Sequence, residues 1–147
     1  MKKLLLLLLI LTSVKAISQS NPQKLIDNFF TTYESDPGKA VQDLYDTNKW
    51  TERAQDDIDR VIGTVNGFTE SYMGKYYGYE LITRKKFAES FELYSYLIKY
   101  DRQPIRFIFK FYKPNDNWVL LSYSLDDSLD DEIQEAAKLY YLELDKE

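Results

Sequence analysis

The chain contains no cysteine and no histidine. The first absence removes disulfides, thiol nucleophiles and iron–sulfur ligation, so stability rests on core packing. The second removes histidine general bases, Ser-His-Asp triads and the usual zinc ligand sets. Glycine is scarce: the five residues are scattered and form no phosphate-cradling loop. A nucleotide site of the usual type is therefore not expected, and neither a metal nor another cofactor is. Long apolar runs are missing after the N-terminus, so no membrane insertion is expected of the rest of the chain.

The one apolar run sits at the start. Met1-Lys2-Lys3 is a short positive segment, Leu4 to Leu11 is unbroken apolar sequence, and Thr12-Ser13-Val14-Lys15-Ala16 places Val14 and Ala16 at the −3 and −1 positions of a cleavage site. That three-part plan is a secretory signal peptide. The run falls well short of the roughly 20 apolar residues of a spanning helix, and without cysteine there is no lipid anchor at the cleavage site. Residues 1–16 are read as the signal peptide and 17–147 as one exported domain, periplasmic or extracellular. About 130 residues suffice for one domain with a real core. The signal carries Lys2, Lys3 and Lys15, so removing three bases from a formal charge of −5 leaves −8. Such a chain repels phosphate backbones and anionic membrane surfaces, and no nucleic-acid partner is expected.

Three helices are expected first. Asn21-Pro22 reads as N-cap and first helical residue, followed by Leu25, Ile26, Phe29, Phe30 and Tyr33 at helical spacing to a stop near Ser35. Asp36-Pro37 opens a second helix, with Ala40, Val41, Leu44 and Tyr45 as its stripe and an end near Asn48. Thr51 is placed as the cap of a third, carrying Ile58, Val61, Ile62 and Val65 and stopping at Asn66-Gly67. The period then changes to two. Four strands are read over Tyr76–Phe87, Phe91–Tyr100, Ile105–Tyr112 and Trp118–Leu125, and their short connections imply an antiparallel meander. A last helix starts near Ser128, with Ile133, Ala136, Ala137, Tyr140 and Leu144 in line. The fold class is thus α+β: N-terminal helices on a curved four-stranded antiparallel sheet, with a C-terminal helix.

In the third strand Ile105, Phe107, Phe109 and Phe111 share one face, which alternation assigns to the helix side. In the second, Phe91, Leu93 and Leu97 share one face and Tyr94, Tyr96, Ile98 and Tyr100 the other. A tyrosine-rich second face suggests a half-polar concavity, with Glu80, Tyr94, Tyr96, Arg106 and Tyr123 as its candidate ligand-binding residues.

The segments Gly74-Lys75-Tyr76-Tyr77-Gly78-Tyr79-Glu80, Gln103-Pro104-Ile105-Arg106-Phe107 and Asn117-Trp118-Val119-Leu120, in this element order, resemble the nuclear-transport-factor-2-like (cystatin-like) superfamily, and in particular its small exported members from Bacteroidota. The likeness covers Asn21 to Leu125, and the C-terminal helix departs from the usual ending at the last strand. It implies a cone-like fold. In ketosteroid-isomerase-like branches an acid and a hydroxyl donor share the pocket, one moving a proton and the other stabilising an enolate.

Each chemical signal has a bland counterpart. Glu80 suits acid–base work, or a cross-strand ion pair with Arg106 on a wet face. Asp126-Asp127-Ser128-Leu129-Asp130-Asp131-Glu132 has calcium-like oxygens but no turn glycine, and Ser128 with Asp131 fits a capping box. Thirteen tyrosines could stack sugars, or simply fit half-buried strands. Arg84-Lys85-Lys86 reads as a solvated strand end that discourages edge pairing. The leading expectation is a non-catalytic binding or interaction protein of the cell envelope, with a small molecule or a protein as partner. The alternative is a small ketosteroid-isomerase-like enzyme using Glu80 and pocket tyrosines, and a third is a structural or homodimeric accessory.

The signal-peptide reading fixes one outcome. Protein recovered from envelope or medium should begin at Ile17, or within a few residues of it, by N-terminal sequencing; intact Met1 on most molecules overturns the assignment.

Overall fold

The computed structural model of the protein describes residues 21–141, with side chains as far as Lys138. The signal segment 1–16, the Tyr140 side chain and Leu144 lie outside the described residues. Helix α1 (Pro22–Tyr33) starts where Asn21 Oδ1 accepts the Lys24 N–H at 2.7 Å, and α2 (Pro37–Tyr45) where Asp36 accepts that of Lys39 at 2.9 Å. The third helix begins later than expected. Thr51 lies inside a 3-10 helix, Lys49–Ala54, and its hydroxyl donates backward to the carbonyls of Tyr45 (3.0 Å) and Asn48 (2.7 Å). A hydroxyl turned back this way cannot cap the turn ahead. Helix α3 (Gln55–Asn66) follows without a side-chain cap, and a single-turn α4 (Glu70–Met73), not foreseen, leads into the sheet.

Strands β1 (Tyr76–Phe87), β2 (Phe91–Tyr100) and β3 (Ile105–Tyr112) occupy the expected runs, and β4 (Val119–Asp126) lies one residue later at each end. They form an open antiparallel sheet in the order β1-β2-β3-β4, followed by α5 (Leu129–Tyr141). No helix among the described residues is long and apolar enough to cross a membrane.

The helices cover one face of the sheet, here the inner face. Phe107, Phe109 and Phe111 are fully buried on it. Helix α1 meets them through Phe29, edge-on to Phe109 at 5.1 Å and to Phe107 at 6.2 Å, while Phe30 stacks flat on Tyr79 at 3.6 Å. Such ring pairs add to the area they bury. The phenylalanines thus face the helix side, as alternation assigns them, and α1 covers them directly. Helix α3 packs on α2, where a Cβ on Gly38 would come within 2.8 Å of Asn66 Nδ2 and 3.1 Å of Ile62 Cγ2, and its Val65, with Val61 and Ile62 beside it, joins the same core cluster as the phenylalanines. Gly38 is thus the close approach that lets α3 pack tightly on α2.

The facing of the tyrosines needs correction. Tyr94, Tyr96 and Tyr123 do not oppose the phenylalanines; they share their face. Tyr94 pairs with Phe109, Phe109 with Tyr123, and Tyr96 with Phe107, and directly paired residues project to the same side of a sheet. The outer face instead carries Glu80, Leu97, Arg106 and Asp126 in one row across all four strands. Alternation within each strand is as read; the match between strands is not.

Phe109 has rings of α1, β2 and β4 around it. Phe109→Ala should therefore cost roughly 3–5 kcal/mol in denaturant unfolding. A loss below about 1 kcal/mol is incompatible with an inward Phe109.

Candidate functional site

The five residues expected to line one cavity divide between the two faces. Glu80 is exposed on the outer face and accepts a hydrogen bond from Lys99 Nζ at 2.6 Å. Arg106 grips Asp126 on the same face, Nη2 to Oδ1 at 2.9 Å and Nε to Oδ2 at 3.1 Å, and also pairs with Glu132. Glu80 and Arg106 are not partners, because Leu97 of β2 stands between them in the row. Tyr94, Tyr96 and Tyr123 are buried in the core on the inner face. The Tyr94 hydroxyl donates to Glu92 Oε2 at 2.8 Å, Tyr96 receives a long hydrogen bond from Gln23 at 3.4 Å, and the Tyr123 hydroxyl has no partner. The five form no common cavity.

Two charged motifs also resolve. Asp126 is committed to Arg106 and to the Ser128 backbone N–H, and no metal-holding cluster of acids exists among the described residues. Arg84 leaves the basic run to hold Glu92, a buried carboxylate, through Nε at 3.1 Å and Nη2 at 2.8 Å. With Tyr94 this trio satisfies itself, which a buried charge requires.

A different group of residues does converge. The end of α1, the start of β1 and the end of β2 meet beside α4. There Tyr33, Tyr76, Tyr100 and Phe68 wall an open cleft of about 530 Å³, with Glu34, Glu70 and Lys75 at its rim. Tyr76 lies opposite Tyr100 across the β1–β2 ladder, and its ring is 5.8 Å from that of Tyr33. The Tyr33 and Tyr100 hydroxyls share a hydrogen bond of 2.8 Å; the buried Tyr76 hydroxyl has no partner. Burial pushes all three phenols above their ordinary range, with Tyr100 adding to the effect on Tyr33 and Glu34 to that on Tyr76. They stay protonated at neutral pH and act as hydrogen-bonding groups, not as bases.

One turn aims this cleft. Gly74 takes φ +77°, and a Cβ there would fall 2.4 Å from Asp101 Cβ. The close approach lets the Asp101 carboxylate accept the Lys75 backbone N–H at 2.6 Å and the Tyr77 hydroxyl at 2.8 Å, directing Tyr77 outward and Tyr76 into the cleft. The Lys75 N–H first, and then the Tyr77 hydroxyl, hold the Asp101 carboxyl below its ordinary range. A depressed carboxyl contributes stability above its unfolded-state pKa and loses it as pH falls through the folded value.

No family model, curated protein or solved structure matches the chain significantly. The site therefore stands on its geometry. In the sequence Tyr76 stands out only as the start of a strand and Tyr33 only within a helical stripe. The available signal was positional: three tyrosines end or begin elements that a meander brings together.

Gly74→Ala should destabilise the protein by about 1–3 kcal/mol, the range for a strained backbone, before any side-chain clash is counted. Gly63→Ala, in α3 with nothing within 4 Å of its Cβ position, should instead gain up to about 1 kcal/mol. Paired denaturant curves check both signs.

Proposed function

We propose that the chain is an exported, non-catalytic binding protein of the cell envelope that takes a small ligand in the Tyr33–Tyr76–Tyr100 cleft. The observation that carries this is the unpartnered Tyr76 hydroxyl, buried among aromatic walls at the edge of an open space. A buried hydroxyl without a partner is costly, and a ligand that hydrogen-bonds to it recovers that cost. Aromatic walls with a few convergent polar groups are the usual make-up of small-molecule sites. Two rim carboxylates against one ammonium favour a neutral or cationic ligand with a flat or ring-shaped body. The signal-like N-terminus supports export, and the resemblance to nuclear-transport-factor-2-like proteins supports a pocket protein. Glu80 lies exposed and paired with Lys99 on the other face, which favours binding over a ketosteroid-isomerase-like use of that acid.

A thermal-shift screen of neutral and cationic ring-bearing metabolites tests the reading. A ligand at a hundredfold excess over its Kd should stabilise the fold by about 2.7 kcal/mol. Tyr76→Phe should abolish that shift while leaving the unliganded protein at least as stable, since it removes an unsatisfied hydroxyl. A screen without stabilising ligands, or shifts that survive both Tyr76→Phe and Phe68→Ala, sinks the proposal.

A further inference from the structure

The outer face of the sheet and the last helix are both uncovered. On α5, Asp130 to Lys138 are all exposed, and Ile133 is 68% exposed. Its apolar residues Leu129, Ile133, Ala136 and Ala137 fall at helical spacing on one side, with Asp130 and Glu132 flanking them. On the sheet, Leu93, Leu97 and Ile108 make a half-buried apolar band along the middle of the outer face, with Lys85 and Lys110 to either side of Leu93 in one row. Among the described residues neither lysine has an ion-pair partner, and Asp130 has none either.

The two surfaces are complementary. An apolar stripe flanked by acids fits an apolar band flanked by lysines. Their lengths match as well: thirteen residues of helix span about 20 Å, and an eight-residue strand about 26 Å. Within one chain the surfaces are kept apart. Only Asp127 and Ser128 separate β4 from α5, and the Arg106–Glu132 ion pair ties one flank of the first helical turn to the end of the chain's own sheet. The stripe is left facing away.

We infer that α5 of one copy docks across the outer sheet face of a second copy, in a two-fold exchange that covers both surfaces at once. Such an interface is self-complementary, as a closed dimer requires. It places Asp130 over the Lys85–Lys110 row, and Ile133 against Leu93, Leu97 and Ile108. The cleft is on the other face of the sheet, so this inference is independent of the ligand reading.

Because the chain has no cysteine, engineered ones report cleanly. Two variants, Ile133→Cys and Ile108→Cys, are mixed and oxidised. The expected product is a mixed disulfide dimer exceeding either homodimer, from protein that light scattering shows to be dimeric. Lys110→Glu should raise the dimer Kd by roughly tenfold, since like charges across an interface are costly, and Asp130→Lys in the same chain should restore it. Three results overturn the inference. One is a monomer at the highest soluble concentration. Another is a dimer unaffected by Ile133→Asp. The third is closure of the Ile108→Cys/Ile133→Cys double variant within single chains, without cross-linking in the mixture, which would mean that the helix folds back on its own sheet.

Discussion

The structure depends on one layer of rings. Phe29 and Phe30 of α1 close on Phe107, Phe109 and Tyr96 of the sheet, with Tyr79 stacked on Phe30 from β1 and Tyr123 reached from β4. Every strand thus contributes to one packed surface under one helix. Without disulfides, the fold has no other source of comparable cohesion, since each fully buried aromatic stabilises by about 1.5–3 kcal/mol and specific ring pairs add somewhat more. The remaining helices are arranged around this layer: α2 leans on α1, and α3 packs on α2 at Gly38 while its Val65 joins the core.

That constraint also divides the polar residues. An inner-facing tyrosine is drawn into the ring layer whatever chemistry it carries, and this is why Tyr94, Tyr96 and Tyr123 are core residues. Several outer-facing positions keep their charges and pair them locally, Glu80 with Lys99 and Arg106 with Asp126. Glu92 is the exception. It faces inward, and Arg84 and Tyr94 bind its carboxylate.

Strand positions are legible in the sequence because Ala88-Glu89-Ser90, Asp101 to Pro104 and Pro114 to Asn117 interrupt the alternation sharply. The relation of β2 to β3 is legible as well. A four-residue connection pairs even-numbered residues of one strand with odd-numbered residues of the next, which puts Tyr94 and Tyr96 on the same face as Phe107 and Phe109. Treating each strand's faces separately loses that information. The β1 register is not legible in the same way. Irregularities between Tyr76 and Tyr79 and between Leu81 and Thr83 each displace the pairing by one residue. A regular ladder counted from Phe87–Phe91 sets Arg102, not Tyr100, across from Tyr76. The cleft therefore exists only because of two bulges whose sequence carries little more than Gly78 as a sign.

Two tyrosine hydroxyls among the described residues are buried without partners, and their surroundings give them different meanings. Either one costs about 1–3 kcal/mol relative to a satisfied group. Tyr123 is enclosed by Phe29, Phe107 and Phe109, where nothing larger than a neighbouring side chain can reach it. Its hydroxyl is an expense of packing a tyrosine where a phenylalanine would fit. Tyr76 stands at the edge of open space, held there by a glycine in the left-handed region and by a carboxylate that fixes the adjoining turn. A backbone that spends strain to aim one unsatisfied hydroxyl at a cleft, with acids and an ammonium at the rim, resembles a site prepared for a partner more than a defect of packing.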